Sequence, residues 1–444
     1  MPLDPDLEPD DEKHARGEDI PTKGEQVKPP ETPADKALRE SFALIARLKA
    51  EHDAGKGEAK DLIARFKLAA MDLSAAEPLQ LRAAAPHITA AMDSFDARGN
   101  KTELPLSTPW PDLNEQLPGG GYWPGCHVLV GGTGAGKSAW ALQLAMHALT
   151  DGAAVYYAAL ELDTKQIIAR LAAESDAQLT QAAARKAGKR PPRPISWSSL
   201  YTGEASAEER MRAREALPAG ALANFTIDHG GDDGEGGDWT PGRMRDAAAA
   251  MRKQHGDKPI LMIVDFLQLV ASDGGSRMEL RERIGHAAKT ARAVAQRYGA
   301  TVMLISSVAR DKYDDVSSFQ GLKAARIGAD RTADQVVERY LHSPDALVGL
   351  GKESGEIEYA ADSVTTAVTL PRVPALAGRP VVFVTAKLRA GRPGWCSLQF
   401  DGSRFTSEPD RGAGVLRAMN DQPKTPKAKP GGQSNADDDD NLKL

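Results

Sequence analysis

Cysteine is scarce: Cys126 and Cys396 are the 2 thiols in 444 residues, each inside an apolar run. Two isolated thiols make no disulfide framework, and no Cys/His spacing suits a metal, so both are read as buried thiols on strands. A long hydrophobic run is missing as well. Nothing approaches the ~18 uninterrupted apolar residues that cross a bilayer, and the acidic N-terminus MPLDPDLEPDDEKHARGEDIP has no apolar core for export. The expectation is a cytoplasmic protein with no membrane partner. Excess positive charge is also absent. A formal net charge of -6 argues against nonspecific coating of nucleic acid. Much of that acidity lies in the two tails, however, which leaves basic residues free to concentrate on one inner surface.

The material that is present is globular: 41% hydrophobic and 27% charged residues suit a packed core. Single cores rarely exceed roughly 250–300 residues, so one large α/β domain with appendages is expected. Residues 1–33 combine Asp, Glu, Pro and Gly without apolar periodicity and read as a disordered acidic tail. Residues 34–104 read as a helical region and linker, with Leu38, Phe42, Ile45 and Leu48 on one face and further helices over Lys60–Met71 and Leu79–Phe95. Both a packing accessory and an oligomerisation or partner-docking collar fit that region. Residues 105–408 alternate strands and helices, the pattern of a mostly parallel sheet covered on both faces. Residues 409–444, ending KTPKAKPGGQSNADDDDNLKL, read as a second disordered tail.

The strongest motif is Gly131-Gly132-Thr133-Gly134-Ala135-Gly136-Lys137-Ser138, entered by the apolar strand His127–Val130 and left by the helical segment Ala139–Leu149. Strand, glycine-rich loop and helix is the setting a phosphate-binding loop requires. Glycines let successive backbone N–H groups converge on phosphate oxygens, and the helix aims its positive end at the same anion. Lys137 is expected on the β- and γ-phosphates of ATP, and Ser138 on Mg²⁺.

Two carboxylates stand where such chemistry needs them. Pro259-Ile260-Leu261-Met262-Ile263-Val264-Asp265 is an apolar strand closed by an acid, the Walker B arrangement, and assigns Asp265 to the Mg²⁺ shell. The strand Ala154–Leu160 ends at Glu161, the candidate base that orients the attacking water. A solvated acid at the start of the next helix, Asp163–Glu174, is the plainer explanation of Glu161.

With these elements placed, residues from about Thr108 to Phe405 resemble the C-terminal motor domain of DnaB-type replicative helicases. Trp110-Pro111-Asp112-Leu113-Asn114 is similar to the family's entry segment, and Leu160-Glu161-Leu162 with Gln166 and Arg170 to its catalytic-glutamate helix. Asp265-Phe266-Leu267-Gln268-Leu269 is close to the family's Asp-Tyr-Leu-Gln-Leu, and Lys352-Glu353-Ser354-Gly355-Glu356-Ile357-Glu358 resembles its DNA-channel loop. Lys387-Leu388-Arg389-Ala390-Gly391 is similar to a Lys-Gln-Arg-Asn-Gly hairpin that reaches the neighbouring subunit's ATP.

The resemblance implies a RecA-like P-loop ATPase with a mostly parallel central sheet, assembled as a homo-oligomeric, hexameric ring. It implies Arg170 at the nucleotide, Lys352, Glu353 and Gly355 on single-stranded DNA, and Lys387 and Arg389 acting on a neighbour's nucleotide. The implied activity is ATP-driven 5′ to 3′ movement on single-stranded DNA, with a replication or mobile-element protein as partner. One departure stands out: the strand Thr301–Ile305 runs into Ser306-Ser307, where the family usually follows its serine with a γ-phosphate-sensing glutamine. That departure suits an alternative, a non-motor ATPase switch that loads or regulates another nucleic-acid protein.

Overall fold

The computed structural model describes residues 33–55, 84–231, 238–273, 278–308, 354–370, 372, 376, 378–407 and 412. The chain divides into two units, Met1–His87 and Ile88–Leu444. In the first, the expected amphipathic helix is α1 (Pro33–Asp53). The face expected to be covered is only partly so: Leu48 is buried, whereas Phe42 and Ile45 are exposed. Lys60–Met71 lies outside the described residues, and the helix expected over Leu79–Phe95 is α2 (Ala84–Gly99). Of the two tails expected to be disordered, only Pro33 and Gly412 fall within the described residues.

Among the described residues the second unit holds nine strands: β1 (Gly125–Gly131), β2 (Ala154–Ala159), β3 (Phe225–Asp228), β4 (Ile260–Asp265), β5 (Ala300–Ser307), β6 (Ser363–Thr369), β7 (Arg379–Leu388), β8 (Gly394–Phe400) and β9 (Phe405–Ser407). They lie in one sheet in the order β3-β2-β4-β5-β1-β6-β7-β8-β9. From β3 to β6 all pairs are parallel; β6 to β9 are antiparallel. The alternation of strand and helix expected up to Ser407 therefore stops at β6, and the last four strands form a meander. Two-residue periodicity marks a strand without saying which way its partner runs, so the sequence pattern did not separate the two cases.

Helices cover both faces: α3 (Lys137–Thr150) and α4 (Thr164–Lys186) on one, α5 (Pro241–His255), α6 (Leu280–Tyr298) and α7 (Ser354–Ala360) on the other. Successive residues of a strand point to opposite faces, and the core divides accordingly. Val128, Val130, Ile260, Met262 and Val264 pack beneath α5 and α6, whereas Leu129, Leu261 and Ile263 pack with Trp140 and Leu144 of α3. Central parallel strands buried on both sides need continuous apolar runs, which explains why β1, β2 and β4 lack polar alternation.

The antiparallel end is tied to α3 by buried polar groups. The Gln143 amide donates to the Phe405 carbonyl (3.1 Å) and its oxygen accepts from the Phe405 N–H (2.6 Å). The same amide reaches Glu174 Oε1 of α4 (3.0 Å), whose carboxylate lies 2.9 Å from Arg404 Nε.

Cys126 and Cys396 are both buried thiols, as read from the sequence. Burial, with the Asp362 carboxylate adding to it, pushes the Cys126 thiol up to about 12. At pH 8 the native protein should release no signal with Ellman's reagent and should titrate 2 thiols once unfolded in guanidinium. Rapid reaction of Cys126 in the folded state would contradict the packing around β1.

Candidate functional site

Parallel register brings the chemistry to one edge of the sheet. Gly131 pairs with Ser307 across β1 and β5, Val264 with Leu304 across β4 and β5, and Ala159 with Asp265 across β2 and β4. The C-terminal ends of four strands thus present the phosphate loop, Ser307, Asp265 and, two residues past Ala159, the exposed Glu161. Ligands of open α/β sheets bind in this crevice outside the carboxyl ends.

The loop itself is shaped by its glycines. Gly134 (φ 73°) and Gly136 (φ 85°) adopt left-handed conformations that side chains resist. Gly136 carries a second constraint, because a Cβ there would stand 2.7 Å from Phe405 Cζ and 3.0 Å from Phe400 Cζ. The stacked pair Phe400 and Phe405, 4.6 Å between centroids, therefore floors the loop. Lys137 Nζ donates to the carbonyls of Gly131 (2.9 Å) and Gly132 (3.0 Å), which holds its ammonium across the loop. Burial lowers the lysine pKa, opposed by the charges of Asp265 and Glu161, so all three act at one place.

Asp265 ends β4 at 2% exposure. Its Oδ2 accepts a 2.6 Å hydrogen bond from the Tyr157 hydroxyl. Burial raises its pKa; hydrogen bonds from Tyr157 and Ser138 and the charges of Lys137 and Arg170 act the other way. The Ser138 hydroxyl and the Asp265 carboxylate form an oxygen-only pair beside the loop, the donor set that a hard divalent cation takes. Arg170, on α4, stacks its guanidinium 3.7 Å above the Trp197 ring, within the field of Tyr157, Asp265 and Glu161.

Sequence reasoning singled out Ser307 and overlooked its holder. Gln268 Nε2 donates to Ser306 Oγ (2.8 Å), and its Oε1 accepts from the Ser307 N–H (3.3 Å), so the glutamine after Walker B fixes the end of β5. Tyr157 and Arg379 were overlooked too; Arg379, at the start of β7, donates to the Gly134 carbonyl (2.6 Å). A pair of tyrosines in an otherwise aliphatic strand was the available signal for the first. No local signal marks the second, because the antiparallel return of β7 is what brings it to the loop.

Arg389 does not join this group. It follows β7 at the other end of the sheet, where Nε lies 3.3 Å from Asp362 Oδ1 and Nη2 donates to the Tyr359 carbonyl (2.7 Å). Asp362 in turn accepts from the N–H of Cys126 (2.9 Å), next to the first residue of β1. From Gly125 to Gly131 the strand spans about 20 Å, so Arg389 cannot reach the phosphate loop of its own chain. Lys387, two residues before it, lies opposite Val364 of β6. Lys352 and Glu353 lie outside the described residues. Gly355 lies in the first turn of α7, so the stretch expected as a loop is helical from Ser354 onward.

The Gly136 environment yields a test. Gly136→Ala should lower stability by about 1–3 kcal/mol through backbone strain and crowding at Phe405. Nucleotide affinity should fall with it. Urea denaturation and fluorescent-ADP titration measure the two effects, and an Ala variant that binds like the parent would show that Phe405 does not set the loop.

Comparison with known proteins places this arrangement. Residues 106–316 match the model of the DnaB-like helicase C-terminal domain. Among solved structures, a DnaB-like replicative helicase, described with its interactions with primase, aligns at TM-score 0.54 and 15% identity over 84% of this chain and 76% of that one. A second solved structure, an ATPase domain, aligns at TM-score 0.51 and 15% identity, over 74% of this chain and 100% of that one. No curated protein matches. At these identities the structural likeness speaks for the fold, a RecA-like α/β core with a mostly parallel sheet. The family match then narrows that fold: residues 106–316 of this chain are similar to the DnaB-like helicase C-terminal domain.

Proposed function

We propose that the chain is an ATP-dependent, ring-forming DNA helicase or translocase that hydrolyses ATP between subunits and moves 5′ to 3′ on single-stranded DNA. The observation that carries the reading is the separation of Arg389 from its own phosphate loop by the length of β1. An arginine needed for transition-state charge, and held at the far end of the sheet, serves only the nucleotide of a neighbouring copy.

In this reading Gly131, Gly132, Thr133, Gly134, Ala135, Gly136 and Lys137 bind the phosphates. Arg170 adds positive charge beside them, and Glu161 orients the attacking water. Ser138 and Asp265 would hold Mg²⁺, which draws off charge as the γ-phosphoryl group leaves. Lys387 and Arg389 complete the neighbouring site. Lys352, Glu353 and Gly355 follow DNA phosphates, which positions a strand without reading bases. The bonds from Arg389 to Tyr359 and Ala361 support coupling, because they join the finger to α7 at the end of the DNA segment.

Lys137→Ala and Arg389→Ala should each abolish unwinding of forked DNA, with the arginine loss costing about 10³-fold or more in ATPase rate. Mixing the two inactive proteins should restore measurable ATPase, because an intact loop from one copy then meets an intact finger from the other. Arg389→Ala with undiminished ATPase, or a strict monomer in ATP, would sink the ring reading. DNA-stimulated ATPase without unwinding on any fork would favour the non-motor switch, to which the short Ser307 side chain lends support.

A further inference from the structure

Consecutive tyrosines in β2 each donate a hydroxyl to a buried carboxylate, on opposite faces of the sheet. Tyr156 donates to Asp228, which is anchored independently by Arg243 through Nε–Oδ2 (2.6 Å) and Nη2–Oδ1 (2.9 Å); Trp239 Nε1 donates to the same hydroxyl (2.9 Å). That cluster is an ion pair with structural partners. Tyr157 donates to Asp265, which among the described residues has no such arginine fork. Its hydrogen-bond partners are Tyr157 and Ser138, and its nearby cations, Lys137 and Arg170, act through space.

The register explains how the tyrosine reaches. Ala159 pairs with Asp265 and Tyr157 with Ile263, so Tyr157 lies two residues below the carboxylate on the same face. A phenol is long enough to cover the ~6.6 Å rise between those positions. Phe or Leu would fill the same space without offering a donor. Tyr157 is fully buried, so its hydroxyl meets Asp265 away from bulk solvent. Ser138 donates from the phosphate loop, whereas Tyr157 donates from a ring packed inside the sheet, which makes Tyr157 the donor to Asp265 that is fixed by burial.

We propose that Tyr157 is a positioning residue for the divalent cation: its hydroxyl withdraws Asp265 Oδ2 and holds the carboxylate with its second oxygen presented beside Ser138. The inference rests on the nucleotide-hydrolase reading of the site. Groups that orient metal-bound carboxylates commonly change metal affinity by ~10–100-fold when removed.

The test uses the full chain with Tyr157→Phe, and Tyr156→Phe as the matched loss of a buried hydroxyl on the other face. Fluorescent ADP is titrated in EDTA and then across Mg²⁺ concentrations, and Mn²⁺ binding to the ADP complex is followed by electron paramagnetic resonance. Tyr157→Phe should leave ADP affinity in EDTA within about twofold while raising the Mg²⁺ midpoint and the Mn²⁺ dissociation constant about 10-fold. Tyr156→Phe should leave both unchanged.

Equal metal midpoints for folded Tyr157→Phe and the parent would overturn the proposal, as would an equal rise in Tyr156→Phe. Should Tyr157→Phe fail to fold, tyrosine Cζ resonances of the ¹³C-labelled parent decide. One buried resonance, retained in Tyr156→Phe, should move when Mg²⁺ joins bound ADP, and a spectrum that ignores Mg²⁺ overturns the idea. A parent protein that binds no ADP with or without Mg²⁺ would instead bring down the hydrolase reading beneath it.

Discussion

The parallel pairing of β2, β4, β5 and β1 is the constraint on which the rest of the molecule depends. With these four strands in register, their carboxyl ends cannot avoid one another, and groups more than a hundred residues apart in sequence share a single crevice. Strands spaced about 4.8 Å apart put β1 and β4, separated only by β5, about 10 Å from each other. That gap suits a cation and a phosphate chain held between loop and carboxylate.

Holding the loop against this edge falls to the antiparallel end of the sheet. Phe405 sits under Gly136, while its backbone is gripped by Gln143, about two turns further along α3. Nearby, Arg404 and Glu174 bury an ion pair. Burial raises the Glu174 pKa, with Arg404, Gln178 and Gln143 acting against it. Such pairs seldom add net stability once desolvation is counted, but removing one partner leaves the other charge buried and costs several kcal/mol. The hairpin is thereby fixed to α3 and α4 in one arrangement, and the loop with it.

Much of this was legible in the chain. The phosphate loop announced itself through glycine spacing between an apolar strand and a helix, and β1, β2, β4 and β5 fell within a residue or two of their expected limits because buried parallel strands are continuous apolar runs. Residues singled out by local pattern lie together: Lys137, Ser138 and Asp265 are neighbours, with the charge of Glu161 acting on Lys137 and that of Arg170 on Asp265. Contacts made by strand return were not legible. Nothing near Arg379 says that β7 runs back to Gly134, and nothing near Gln268 says that β5 ends against it. The sequence motif around Ser354 suggested a loop, yet Ile357 and Ala360, three apart, bury one face of a short helix against the core.

Strand β1 carries the phosphate loop at one end and, through Asp362, steadies Arg389 at the other. A strand clamped between parallel neighbours on both sides neither stretches nor bends appreciably, so it behaves as a strut. In the ring proposed above, a tighter grip on one nucleotide would not be absorbed by lengthening the subunit that holds it. It would have to appear as a tilt of the whole subunit, carried around the circle from joint to joint.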